Sequence, residues 1–127
     1  MKTKLLSLAV VVFLALSCSH ENHLPMYELG IDFQSSFEND HVRLTIGDGE
    51  VLNRELETNH LLGVCTDGGQ LSLAMPKGEQ TITITINHSL SKSKSFLVDR
   101  RRYIGIGYDR QSNAITFQYA DEPFGYD

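Results

Sequence analysis

The sequence predicts an all-β fold: a small antiparallel β-sandwich of about seven to nine strands, behind an N-terminal signal helix. Three observations carry this. After residue 26, apolar and polar residues alternate with a period of two in segment after segment. Short clusters of Gly, Asp, Asn and Pro separate those segments. No stretch beyond residue 26 shows a helical period. Hydrophobic residues at 41% and charged residues at 21% suit a packed core and argue against disorder. A chain of 127 residues has room for one domain.

The segments follow in order. Tyr27, Leu29, Ile31 and Phe33 alternate with Glu28, Gly30 and Asp32. Val42, Leu44 and Ile46 alternate with Arg43 and Thr45, and Gly47-Asp48-Gly49 then forms a turn. The strand after it, over 50–57, fits two registers: Val51 points inward in one, Leu52 and Leu56 in the other. Leu71, Leu73 and Met75 alternate with Ser72 and Ala74, and Ile82, Ile84 and Ile86 with Thr81, Thr83 and Thr85. Ile104, Ile106 and Tyr108 alternate with Tyr103, Gly105 and Gly107, and Ile115, Phe117 and Tyr119 with Thr116 and Gln118. Weaker strands are predicted over 61–65 and 94–98.

Register is tested by parity, because a one-residue slip turns every apolar side chain to the wrong face. A loop over 110–113 pairs Tyr108 with Ile115 and Ile106 with Phe117. A loop over 76–79 pairs Leu73 with Ile82 and Leu71 with Ile84. Connections of about two to six residues are expected throughout.

The first seventeen residues read as an export signal. Lys2 and Lys4 precede a run from Leu5 to Leu16 that is apolar except for Ser7. Twelve helical residues rise only about 18 Å, short of a ~30 Å hydrocarbon core. Leu14-Ala15-Leu16-Ser17-Cys18 resembles the lipobox of bacterial lipoproteins, with the cleaved bond between Ser17 and Cys18. Lipoproteins of this kind favour Leu where Ala15 stands, and Ala15-x-Ser17 also suits ordinary secretory cleavage at the same bond. The resemblance implies a diacylglycerol on the Cys18 thiol, an acyl chain on its amine, and residence in the cell envelope, at the bacterial outer membrane. Several chains at ~0.8 kcal/mol per methylene make a stable anchor. Ser19 to Met26 then forms a polar tether of at most about 30 Å, and residues 27–127 the domain.

Of two cysteines, Cys65 sits among Leu61, Leu62 and Val64 and reads as a buried small hydrophobe. "IGDGEV" followed by "LSLAMPKGEQTITITI" resembles PEGA-type and related immunoglobulin-like envelope modules, which implies the same fold.

Charge narrows the partners. The chain carries −5; without Lys2 and Lys4 the imbalance grows, and no nucleic-acid partner is expected. Residues 19–91 hold only Arg43, Arg54 and Lys77 against eleven acids. Lys92, Lys94, Arg100, Arg101, Arg102 and Arg110 fall between 92 and 110. They form either a patch for an acidic partner or, for the lysines, a guard on an edge strand.

Tyr103 shares the non-core face of its strand with Gly105 and Gly107. With Arg100, Arg101 and Arg102 it makes a candidate ligand site, a sugar-stacking platform; the structural alternative is an aromatic ring covering glycine. The C-terminal aromatics Phe124 and Tyr126 are expected to pack back over an open core edge.

No catalytic motif, cofactor or metal site is predicted. His20 and His23 lie in the tether; His41, His60 and His88 are scattered. Asp32, Asp40, Asp48, Glu50 and Asp67 lack calcium-loop spacing and suit local turn hydrogen bonds. The expectation is a membrane-anchored, non-catalytic interaction or structural module with a protein or glycan partner. The alternatives are a carbohydrate-binding module and a small hydrolase or hydrolase inhibitor.

Overall fold

The structure, a computed structural model, describes residues 24–126. The leader, the acylation expected at Cys18 and the tether histidines His20 and His23 lie outside the described residues. Eight strands follow in order: β1 (Met26–Phe33), β2 (Glu38–Ile46), β3 (Gly49–Glu57), β4 (Gln70–Pro76), β5 (Gly78–Ile86), β6 (Leu90–Val98), β7 (Arg102–Asp109) and β8 (Ala114–Ala120). They form two four-stranded sheets, β4-β1-β7-β8 and β3-β2-β5-β6. All pairings are antiparallel except β1 with β7. The all-β sandwich is as the alternation predicts.

The core lies between the sheets. Leu29, Ile31 and Phe33 of β1, with Ile104 and Ile106 of β7, face Val42, Leu44, Ile82, Ile84 and Ile86 of the second sheet. Burying each such side chain contributes about 1.5–3 kcal/mol. Branched residues at alternate positions supply this face because they pack well on a pleated surface. Phe37, wholly buried, meets Phe33 edge to face at 5.8 Å.

The β7–β8 hairpin has the predicted register, Tyr108 with Ile115 and Ile106 with Phe117. The predicted pairing of Leu71 and Leu73 with Ile84 and Ile82 is wrong. β4 pairs with β1, Leu73 opposite Leu29 and Leu71 opposite Ile31, whereas β5 joins the other sheet beside β2. Residues 76–78 are a corner between sheets, not a hairpin loop. Pro76 cannot donate to a ladder, and Gly78 takes φ +140°, which suits glycine.

The ambiguity at β3 resolves toward Leu52 and Leu56, both buried, with a register shift between Leu44 and Thr45. Residues 61–65 form no strand; they belong to a loop over 58–69, longer than the connections expected. An Asn59–Val64 bridge closes it, and Asn59 Oδ1 accepts from the N–H groups of Leu61 and Leu62. The strand predicted over 94–98 begins earlier, at Leu90.

Lys92 and Lys94 are in register with Ile84 and Ile82, so the two lysines lie in phase with the core at an edge strand. Lys92 Nζ donates to the Ile115 carbonyl at 2.9 Å and lies 5.6 Å from the Phe117 ring centre, closing the seam between β6 and β8.

Candidate binding site

Arg100, Arg101 and Arg102 sit at one end of the strands and Arg110 at the other. β1 enters at Met26, where the Lys77 N–H donates to the Pro25 carbonyl. This is the near end, and β7 starts here as well. Eight residues at about 3.3 Å each carry β1 to the far end.

At the near end Arg100 reaches Asp99 and Asp121, both at 3.8 Å, and Arg101 reaches Glu122 at 3.7 Å. Arg102 pairs with Asp99 at 3.3 Å. The arginine run therefore meets the acids of its own corner and of the segment after β8. Tyr103 is 8% exposed. Its ring crosses to the neighbouring strand and occupies the space a side chain at position 30 would need. Its hydroxyl donates to Glu28 Oε1 at 2.9 Å, and Arg101 lies 5.8 Å over the ring. Ser72 and Tyr103 together hold the Glu28 carboxyl below its ordinary pKa, while burial first and Glu28 second raise that of Tyr103. Tyr103 thus covers glycine, and the glycine is Gly30 of β1.

The C-terminal segment brings Tyr126 to this outer face and not to the core edge expected for it. Tyr126 donates to Asp32 Oδ2 at 2.7 Å and accepts from Gln34 Nε2 at 3.0 Å. Burial chiefly, with Asp32 beside it, pushes the Tyr126 phenol up to about 12.

At the far end the fold gathers residues distant in sequence. Asp40, 3% exposed, accepts from the Glu38 N–H at 2.8 Å, from Asn87 Nδ2 at 2.8 Å and from Arg110 Nη1 at 2.6 Å. Arg110 comes from the β7–β8 turn of the opposite sheet and lies 5.4 Å over the Tyr108 ring. Asn87 and His88 both adopt positive φ, and that turn sets the His88 ring on His41, centres 4.2 Å apart and 18° between planes. His41 Nε2 meets Asn53 Oδ1 at 2.6 Å, whereas its Nδ1 is buried without a partner among the described residues.

Beside this cluster lies an open cleft of about 490 Å³ lined by polar side chains, among them Ser35, Ser36, Glu38, Arg110, Gln111 and Thr116. Hydroxyl, amide, carboxylate and guanidinium groups here can hydrogen-bond a polar ligand. Among the described residues, no three His, Cys, Asp or Glu side chains gather as metal ligands would. Asp32, Asp40 and Glu50 instead bond to Tyr126, Arg110 and Arg43, and Asp67 lies 3.7 Å from Arg54. Cys65 is wholly buried beside Thr58, and burial pushes its thiol up, away from the reactive thiolate.

One sign of the far-end cluster is present in the sequence. Asp40 is in phase with Val42, Leu44 and Ile46, so the strand points a carboxylate at the core, and a buried carboxylate requires a cation and donors. Comparison with protein-family models, with curated proteins and with solved structures finds no match for this chain.

Proposed function

We propose that this chain is an exported lipoprotein of the cell envelope, a lipid-anchored β-sandwich that binds a partner and performs no chemistry on it. The observation that carries the reading is the sequence Lys2 to Cys18, with a charged start, an apolar run and a cysteine directly after the small Ser17. The first strand begins eight residues beyond that cysteine, at Met26. A sandwich with its own core, joined to a membrane by a short tether, suits display of a surface.

The far-end cleft supports the binding half of the reading. Ser35, Ser36, Gln111 and Thr116 offer hydrogen bonds, and Glu38, Asp109 and Arg110 put both signs of charge on the same lining. A polar loop of a protein or the hydroxyls of a glycan would satisfy them. Its rim is fixed to the core through the Arg110–Asp40 pair, so a partner would meet a preformed surface.

Intact mass spectrometry of the full chain, expressed in a bacterium and compared with Cys18→Ala, tests the anchoring. The expected result is cleavage before Cys18 with added acyl mass, and a protein that leaves the membrane fraction in the variant. An unblocked amino terminus with a bare Cys18 thiol, in a protein found wholly in the soluble fraction, would overturn it.

A further inference from the structure

Each sheet ends in two edge strands; β3 and β6 carry charged residues of their own, and β4 and β8 carry none. β6 has Lys92 and Lys94. β8 has its Ile115 carbonyl met by the Lys92 ammonium. β3 carries Glu50, Arg54, Glu55 and Glu57, with a register shift against β2. β4, Gln70-Leu-Ser-Leu-Ala-Met-Pro76, carries no charged residue. Charges, inward lysines, bulges and proline are the devices that keep edges from pairing with other chains; of these β4 has only Pro76, at its end, and on its outer face Ser72 bonds to the Glu28 carboxylate of β1.

The direction of its free backbone groups follows from two hydrogen bonds. The Phe33 N–H donates to the Gly69 carbonyl at 2.8 Å, and the Lys77 N–H to the Pro25 carbonyl at 2.9 Å. Both lie in the register that sets Leu73 opposite Leu29. In an antiparallel ladder, alternate residues turn their backbone groups to the same neighbour. Leu71, Leu73 and Met75 therefore bond to β1. Gln70, Ser72 and Ala74 present N–H and C=O outward, and Pro76 presents C=O alone. Of the backbone bonds that run outside the strands, none among the described residues reaches Ser72 or Ala74.

We propose that β4 is a pairing edge for a second copy of this chain, the two β4 strands running antiparallel about a two-fold axis at Leu73. In this register Ser72 faces Ala74 of the other copy, and Gln70 faces Pro76. Each outward N–H of Gln70, Ser72 and Ala74 then finds a carbonyl. The one donor missing is that of Pro76, which has none to give. On the inner face Leu73 meets Leu73 and Leu71 meets Met75; all three are half-buried in the single chain. On the outer face small Ser72 and Ala74 meet, and no like charges oppose each other. An axis at Ser72 instead would set Met75 against glycine. A self-complementary patch of this kind closes as a dimer and does not propagate along that edge. The two near ends would then lie at opposite ends of the pair, so that dual anchoring would lay the strands along a bilayer.

Cysteine pairing in the full chain tests the register. Chains carrying Ser72→Cys and Ala74→Cys are oxidised separately and mixed; Leu61→Cys, on the exposed loop, gives the background rate. Native Cys65 is buried and does not compete, and Cys18 is common to every variant, so the Leu61→Cys reference subtracts its share. The expected outcome is a mixed dimer at least ten times above background, with neither chain alone giving much. Leu73→Cys, placed on the axis, cross-links by itself. Adding Gln70→Pro to the Ser72→Cys chain removes one outward donor, spares the β1 ladder and lowers the yield several-fold. Mixed yields no higher than those of Leu61→Cys, or cross-links only to some other protein, would overturn the proposal. Because both substitutions lie on an exposed face, retained circular dichroism separates a failed dimer from a failed fold. Anchoring at Cys18 stands or falls separately by mass.

Discussion

At the far end Arg110 meets the buried Asp40, with exposed Glu38 at 3.7 Å, while at the near end Arg100, Arg101 and Arg102 meet Asp99, Asp121 and Glu122 largely in water. The chemistry of the pairs is the same, and their surroundings are opposite. The Asp40 side chain keeps 4% of its surface and those of Asp121 and Glu122 keep 66% and 79%. Water screens the near-end pairs and supplies substitute partners when one is lost. Asp40 has no such reserve. Its remaining bonds come from the Glu38 N–H and from Asn87. It also joins parts of both sheets: the start of β2, the β5–β6 turn and the β7–β8 turn. A count of positive charges along the chain points to the near end, yet burial gives the far-end pair the larger role in stability.

Arg110→Met is the strongest way to break this contrast. It keeps much of the aliphatic packing against Tyr108 and leaves Asp40 a buried charge without its cation. Urea unfolding should show a loss of about 3 kcal/mol, at the lower end of the usual cost because Arg110 keeps 39% of its side chain in water. Asp40→Asn added to it should recover part of that loss, a coupling that a double-mutant cycle reads directly. A loss below about 1 kcal/mol would put the two ends on equal terms and remove the reason for calling the far end preformed.

Alternation made the sheets legible because burial on a pleated surface imposes a period of two whichever strand lies alongside. The same fact hid the partner of β4. Leu71 and Leu73 must face the core in either sheet, so parity is satisfied equally by β1 and by β5. Only the corner at Pro76 and Gly78 separates the two, and as a pattern of residue types it also suits a hairpin. The β7–β8 hairpin escaped this ambiguity because its turn closes locally. Asp40 was visible in phase with Val42 and Leu44, but Arg110 lies seventy positions away and no local rule joins them. The convergence of His41 with His88 is equally long-range. Tyr103 was correctly placed on the outer face; that its ring falls on Gly30 depends on the parallel pairing of β1 with β7, which no adjacent segment encodes.

The segment after β8 joins the two regions, since it leaves the near end and brings Tyr126 to Asp32 and Gln34. Its hydroxyl gives a smaller, pH-dependent effect. An unfolded tyrosine ionises near pH 10; docked Tyr126 is pushed up to about 12. The folded form therefore favours the protonated phenol. Its contribution is whole below about pH 10 and is lost as pH rises through about 12. Absorbance titration should show one late tyrosinate step that Tyr126→Phe removes, even though burial also raises Tyr103 and Tyr119. If Tyr126→Phe leaves the titration curve unchanged, the docking does not hold in solution.

The smallest effects belong to Arg100 and Arg101. Their contacts with Asp99, Asp121 and Glu122 lie at 3.7–3.8 Å between groups that are all substantially exposed. Pairs of this kind contribute about 0–1 kcal/mol, less as salt rises. Arg100→Ala should shift unfolding by no more than about 0.5 kcal/mol. Arg101→Ala should do nearly the same, with a slight further loss where its stem shades the Tyr103 ring. Arg102 is kept out of this test because its side chain is 23% exposed and its Nε is buried without a partner among the described residues. A cost above about 1 kcal/mol for either exposed arginine would mean that the near end holds its acids as firmly as Arg110 holds Asp40. In that case sequence charge, and not burial, would be the better guide to where this molecule is built to stay rigid.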